Sequence, residues 1–385
     1  MEENKKPDET EGKKPEENVT PKEEKEDKKS KAAAFFSVKR NKIIVGVSVV
    51  AVVALAIGLT VGLTQCSNKG SDATGSESTS AATSEKGDES IAHVHTVSTG
   101  VLDLNGDKAQ INGICSGCNE KVDADIASGA TFTSVLCGYY PQKHVNDATL
   151  IASLDALTAA ESNGWYKLGD TYYAKATQNV EHYDTTFDDG TKIMYGTYFW
   201  FKVEPIEWNI LSSSNGQYSL VSKLLLDTHA YDAEYNNNYK DSDIRAWLNG
   251  EFYKKAFAKG SSFIATTNVD NSAITTGAPT NEHVCENTDD KVYLLSYQDY
   301  VNTAYFATDA ARQCKTSEWT RNNFAECEPE ADYAGTYWTR SPDSTSGNCV
   351  WYVEGDIDNL NEMETEDSAK TYFSVRPAIT VSLAK

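Results

Sequence analysis

The sequence predicts an α+β protein over residues 130–385, a loop-rich, twisted and mostly antiparallel sheet with few helices, preceded by one transmembrane helix and a disordered N-terminal tail. Three observations carry that prediction. An uncharged apolar run fills 43–64, short β-branched and aromatic runs recur from Thr131 onward, and one segment among them has helical periodicity.

Residues 1–42 contain almost no large apolar side chain before Phe35 and Phe36. They are Lys, Glu, Asp and Pro, with runs such as Glu23-Glu24-Lys25-Glu26-Asp27-Lys28-Lys29. Such a segment buries too little apolar surface to offset its chain entropy, so it reads as a disordered cytoplasmic tail. The run from Ile43 (IIVGVSVVAVVALAIGLTVGL) carries no charge and no Pro. At about 1.5 Å per residue it matches the roughly 30 Å hydrocarbon core of a bilayer. Lys39, Arg40 and Lys42 precede it and only Lys69 follows closely, which predicts a single-pass cell-membrane protein with its N-terminus in the cytoplasm and its C-terminal part outside. A cleavable leader is disfavoured by the long polar stretch before the run. A lipidated Cys66 is disfavoured by Gln65, where such signals want a small residue.

Residues 65–90 are rich in Ser, Thr and Gly, the composition of a flexible stalk. Next, within 91–122, His93-x-His95 and Cys115-x-x-Cys118 form two close pairs about twenty residues apart, the spacing of a small structural zinc site. The segment is poor in apolar residues, so a metal would supply stability that a core does not. Two other readings stay open: a disulfide between Cys115 and Cys118, or two thiols in a loop. An H-x-H leading to a C-x-x-C is similar to small His- and Cys-bearing modules of bacterial surface proteins, which carry a further His and a Trp that this chain lacks. Asp103-x-Asn105-x-Asp107 does not make a calcium loop, because Lys108 and Ile114 stand where Gly and Glu are needed.

In the large region, Lys192–Val203, Ile206–Leu211, Gln217–Leu224, Val292–Leu295, Cys349–Val353 and Val375–Val381 read as short strands. Between Ser242 and Ala256 the apolar residues Ile244, Trp247, Leu248, Phe252 and Ala256 recur at helical spacing, with Ser242 or Asp243 as N-cap. Cys314–Cys327 and Cys327–Cys349 are feasible disulfide loops.

Several motifs follow one another in order: Gly138-Tyr-Tyr-Pro141-Gln142, Val203-Glu204-Pro205-Ile206-Glu207-Trp208, and Asp243-Ile-Arg245-Ala-Trp247-Leu248-Asn249. Val292-Tyr-Leu-Leu295-Ser296, Tyr337-Trp338-Thr-Arg340-Ser341-Pro342 and Val375-Arg376-Pro377-Ala378 complete the series. Together they resemble a domain of unknown function of bacterial surface proteins. The closing pair is similar, more distantly, to the C-type-lectin-like superfamily that includes the formylglycine-generating enzymes. That resemblance implies a twisted antiparallel sheet with one or two flanking helices. It does not bring chemistry with it: Cys314, Cys327 and Cys349 do not match the copper-binding cysteine pair, and no W-N-D accompanies Glu328-Pro329-Glu330.

Arg245, Arg340 and Arg376 each neighbour an aromatic residue or a Pro. With the indoles of Trp338 and Trp351 they are candidates to hold a sugar or a carboxylate. The preferred reading is internal ion pairing, for example with Glu204 or Glu207. No residues are assigned a catalytic role: His144, His182, His229 and His283 share no pattern with a nucleophile, and no phosphate-binding Gly loop is present. A net charge of −22 argues against nucleic acid as a partner. The expected function is therefore a membrane-anchored, non-catalytic binding or adhesion module of a bacterial cell surface. Its partners would be the bilayer, through 43–64, and an extracellular glycan, envelope polymer or protein. The alternative is an extracytoplasmic enzyme with a site around Arg340 and Arg376.

Overall fold

A computed structural model describes residues 94–383 apart from 106–107, 124–130, 179–184, 259–260, 324–326, 357–362 and 369–371. The expected tail 1–42, span 43–64 and stalk 65–90, and His93, lie outside the described residues. The expectation of a transmembrane helix is corrected: among the described residues no helix is long and apolar enough to cross a membrane. The physical reason is length. The continuous helical run from Asp243 to Ala256 spans only about 20 Å, against a bilayer core of roughly 30 Å.

The fold is sheet-rich. A meander of β1 (Thr96–Asn105), β2 (Lys108–Ile114) and β3 (Lys121–Asp123) opens it, and β4 (Thr131–His144) returns parallel to β1. Helix α1 (Ala148–Asp155), capped by the Asp147 carboxylate on the Leu150 N–H, leads to the hairpin of β5 (Tyr166–Leu168) and β6 (Thr171–Thr177). The long β7 (Tyr198–Ser214) follows and pairs antiparallel with β4, β6 and the next strand, β8 (Gln217–Ser222). Asn215 and Gly216, both at positive φ (49° and 75°), form the two-residue turn between β7 and β8 that suits the strands' twist.

After β9 (Asp227–Ala230), the segment expected to be helical is helical. It comprises α2 (Asp243–Trp247), a π-turn over Leu248–Phe252, and α3 (Tyr253–Ala256), with the Ser242 hydroxyl accepting from the Arg245 N–H. Ile244, Leu248, Phe252 and Ala256 are all buried at strict four-residue spacing. On a plain α-helix that row drifts by about 40° per step. The wider π-turn takes up the drift and keeps the row on the core.

Strand β10 (Val292–Tyr293), the short helices α4 (Tyr297–Tyr300) and α5 (Glu318–Asn322), and strands β11 (Tyr337–Pro342), β12 (Cys349–Val353), β13 (Met363–Asp367), β14 (Tyr372–Val375) and β15 (Ala378–Ser382) follow, and two short pairs, Thr267–Val269 with Thr288–Asp290 and Cys327–Glu328 with Ala334–Gly335, stand apart from the main sheets. The larger sheet runs β10-β15-β8-β7-β4-β1-β2-β3, with β6 and β5 also attached through β7. A second sheet runs β13-β12-β11-β14-β9. All six residues of β11 are buried, so this strand is covered on both faces. Cys314 donates its thiol to the Lys223 carbonyl and Cys349 lies against Asn348, so neither the Cys314–Cys327 nor the Cys327–Cys349 disulfide forms.

Two of the motifs read from sequence face each other across β4 and β7, where Tyr140 pairs with Glu204 and Pro141 with Val203. Pro141 and Pro205 contribute no N–H to the ladder, and the register slips at Leu136/Tyr139 and again at Pro141/Lys143. The Gln142 side chain compensates by donating to the Glu204 and Pro205 carbonyls at 3.0 and 3.1 Å. Gly138 stands at the first slip with φ +72°, and a Cβ there would lie 2.7 Å from the Phe257 ring and 2.8 Å from the Ala256 carbonyl. The bulge thus lets the end of α3 settle on the sheet, beside Trp208, whose indole N–H donates to the Cys137 carbonyl at 2.8 Å. Gly138→Ala is expected to cost about 2–3 kcal/mol, from the left-handed backbone and the displaced helix end. Chemical denaturation of the variant beside the parent protein checks this.

Candidate functional site

Arg340 anchors the site. It lies on β11, is buried, and reaches away from its own sheet. Its Nη1 donates to the Leu294 carbonyl and to Asp299 Oδ2, both at 2.9 Å, and its Nη2 to the Asp270 carbonyl at 3.1 Å. Its Nε has no hydrogen-bond partner among the described residues. Asp299 is held by α4, where it forms a capping box with Ser296, accepting from both the N–H and the hydroxyl of Ser296 at 2.8 Å. The guanidinium thus ties β11 to α4 and to the loop after Thr267–Val269.

Beside it is a cavity of about 140 Å³, lined among others by Asn268, Asp270, Tyr293, Asp299, Tyr305 and Arg340. The Ser272 backbone N–H, helped by the positive charge of Arg340, holds the Asp270 carboxyl below its ordinary value, so it faces the cavity as an anion at neutral pH. Asn268 is exposed; its amide donates to Asp289 Oδ1 at 2.9 Å and accepts from Asn287 Nδ2 at 3.3 Å. Burial pushes the Tyr293 phenol up, and its hydroxyl meets Thr380 Oγ1 at 3.4 Å. The cavity therefore offers an anionic acceptor, an amide and two tyrosine rings beside a guanidinium already paired with Asp299.

The structure does not gather the other expected ligand-binding residues here. Arg376 is buried elsewhere, donating to the Ser222 and Arg312 carbonyls and to the Tyr337 hydroxyl, each at 3.1 Å, so its bonds do not overlap with those of Arg340. Trp338 is fully buried, with its indole N–H on the His229 carbonyl at 2.9 Å and its ring 4.5 Å from that of Phe373. Trp351 is half-buried against Tyr297 at 4.7 Å. Arg245 pairs with the buried Asp290 at 2.7 Å and donates to the Lys240 carbonyl at 2.7 Å. The internal partners of Arg340 and Arg245 are thus Asp299 and Asp290, not Glu204 or Glu207; Glu207 pairs with Lys223 at 2.9 Å and Glu204 with Lys202 at 3.1 Å. Asp270, Asn268 and Tyr305 carried no sequence signal, because each lies in a short strand or loop without periodicity.

A second group lies at the far edge of the larger sheet. The ligand atoms of His95, Cys115 and Cys118 all fall within 4.8 Å of one another, bringing together three of the four residues read as a zinc set. Cys118 Sγ is 3.4 Å from His95 Nδ1, and the Gly117 N–H points at Cys115 Sγ at 3.4 Å. The Glu120 backbone N–H favours the Cys118 thiolate, but loss of water and the nearby Cys115 sulfur and Glu120 carboxylate outweigh it and push that thiol up.

A family model described as a domain of unknown function (DUF6273) matches residues 215–383. Comparison with curated proteins and with solved structures found no match. A domain of unknown function therefore covers residues 215–383. It takes in β8 to β15 and the whole cavity except Leu211, and leaves β1 to β7 outside.

A charge network that the sequence did not reveal closes the end of β4. Glu318, at the start of α5 and buried, accepts the backbone N–H of His144 at 2.8 Å and of Asp188 at 2.7 Å, and Lys143 at 3.1 Å. The fully buried Arg321 donates to Asp188 at 2.7 Å and to the Thr186 carbonyl at 3.0 Å, with Tyr333 stacked 4.0 Å away. His144 lies 3.0 Å from Asp189 and stacks on Phe187 at 4.1 Å. Partial burial raises the Asp188 carboxyl, but Arg321 and Lys143 outweigh it and bring it down to about 2. Asp189 reaches about 2 likewise, with Thr191 and His144 overcoming its burial. A folded carboxyl held below its unfolded value stabilises fully above the unfolded value, and the contribution is lost as pH falls through the folded one. Stability is therefore expected to drop between about pH 4 and pH 2, and Asp188→Asn to flatten that limb. Denaturant titrations at a series of pH values check it, and an unchanged slope in the variant would count against the network.

Proposed function

We propose that the protein is a non-catalytic binding module that takes one neutral sugar unit of a glycan in the cavity beside Arg340. The observation that carries this reading is the cavity's lining. A volume of about 140 Å³ suits a single sugar ring rather than a drug-sized ligand. Asp270 supplies an acceptor for hydroxyl groups, Asn268 the second N–H and second lone pair of an amide already bonded to Asp289 and Asn287, and Tyr293 and Tyr305 the apolar rings against which the C–H face of a sugar packs.

Charge selects between the two ligands the arginines invited. Asp270 and Asp299 outnumber Arg340 locally, and the chain carries a net charge of −22. A carboxylate ligand meets repulsion, whereas a neutral polyol does not. Arg340 acts in this reading as a positioning residue, holding Asp270 and α4 around the cavity.

Titration with a panel of neutral mono- and oligosaccharides, followed by NMR, is expected to show saturable binding. Asn268→Ala and Tyr305→Ala are expected to weaken it at least about tenfold, or 1.4 kcal/mol, with an unchanged near-UV spectrum. No binding by the parent protein, or equal binding by both variants, overturns the proposal.

A further inference from the structure

We propose that His95, Cys115 and Cys118 form a zinc site that clamps the edge of the larger sheet. The argument begins with distance. Zinc–sulfur and zinc–nitrogen bonds of about 2.3 and 2.0 Å place neighbouring ligands of a tetrahedral ion roughly 3.5 Å apart. Cys118 Sγ and His95 Nδ1 are 3.4 Å apart, and Cys115 Sγ lies within the same 4.8 Å cluster.

The backbone sets this geometry by itself. The Cys115 N–H donates to the Glu120 carbonyl and the Asn119 N–H to the Cys115 carbonyl, both at 2.9 Å, with Asn119 at φ +61°. That closes a tight turn between β2 and β3 with both sulfurs on one side. The Ser116 N–H and hydroxyl both donate to the Thr96 carbonyl, at 2.9 and 3.1 Å, which docks the turn against the residue following His95.

The surroundings of the three groups also favour a cation. The Gly117 N–H faces the Cys115 sulfur at 3.4 Å and stabilises a thiolate there. On the opposite side of the imidazole, His95 Nε2 is 3.9 Å from Glu120 Oε2. That carboxylate adds negative charge beside the three ligand atoms, which favours a bound cation. Two thiolates and an imidazole select zinc over calcium or magnesium, which take oxygen. Cys115 is buried while Cys118 is exposed, so the metal has a path in from solvent. The fourth position of the tetrahedron falls to a water or a further donor. Once loaded, the ion joins the start of β1 to the β2–β3 turn and holds the last three strands of the sheet together.

The test uses the full chain purified in reductant with zinc and then desalted. Metal analysis is expected to find about one zinc per chain, and cobalt in its place to give thiolate-to-metal charge-transfer absorption. Cys118→Ser and His95→Ala are expected to lose most of the zinc and that absorption, while Cys349→Ser keeps both. Because Cys118 is exposed, its variant keeps the parent's near-UV spectrum, which separates loss of metal from loss of fold. No retained zinc in the parent protein, full zinc in Cys118→Ser, or a Cys115–Cys118 disulfide found by mass spectrometry overturns the proposal.

Discussion

The pairing of β4 with β7 is the constraint on which the rest of the larger sheet depends. Strand β7 alone joins the β1–β4 side to the β8, β15 and β10 side. Its ladder with β4 is interrupted by prolines on both strands, and an interrupted ladder has to be repaired or it becomes a place where the sheet slips. Gln142 repairs it from the side chain, and Trp208 pins the bulged strand through the Cys137 carbonyl. The bulge then gives room to α3, so the same irregularity that weakens the ladder seats the helical segment that runs from Asp243 to Ala256.

Burying Arg340 costs solvation, which a single carboxylate in a dry site would not return. The guanidinium is instead shared between one charge, Asp299, and two backbone carbonyls. Three separate pieces of chain converge on one rigid fork, and the cavity is what their convergence leaves open. The site is thus a by-product of how a buried charge is accommodated, and its shape is as stiff as those bonds.

How much of this was readable from the sequence depended on how far apart the interacting residues lie. The helical segment from Ser242 was legible because its four-residue row and its cap are local. The His95, Cys115 and Cys118 cluster was legible because two ligands share one turn, although the Thr96 docking that brings in the third was not. Arg340 announced itself by its motif, but its partners Asp299 and Asp270 come from a capping box and an irregular loop that no period marks. Trp338 and Trp351 looked like ligand platforms because indoles often are. β11 turned out to be covered on both faces, which sends Trp338 into the core. The parallel return of β4 onto β1 follows from no pattern in either strand.

The matched domain begins at residue 215, inside the turn between β7 and β8. Its first strand, β8, pairs on one side with β7, which lies upstream of that border. A fragment cut at the border would bare a row of amides and carbonyls along β8, the kind of open edge that recruits other chains. The segment recognisable across sequences and the segment able to stand alone in solution are therefore different lengths of this polypeptide.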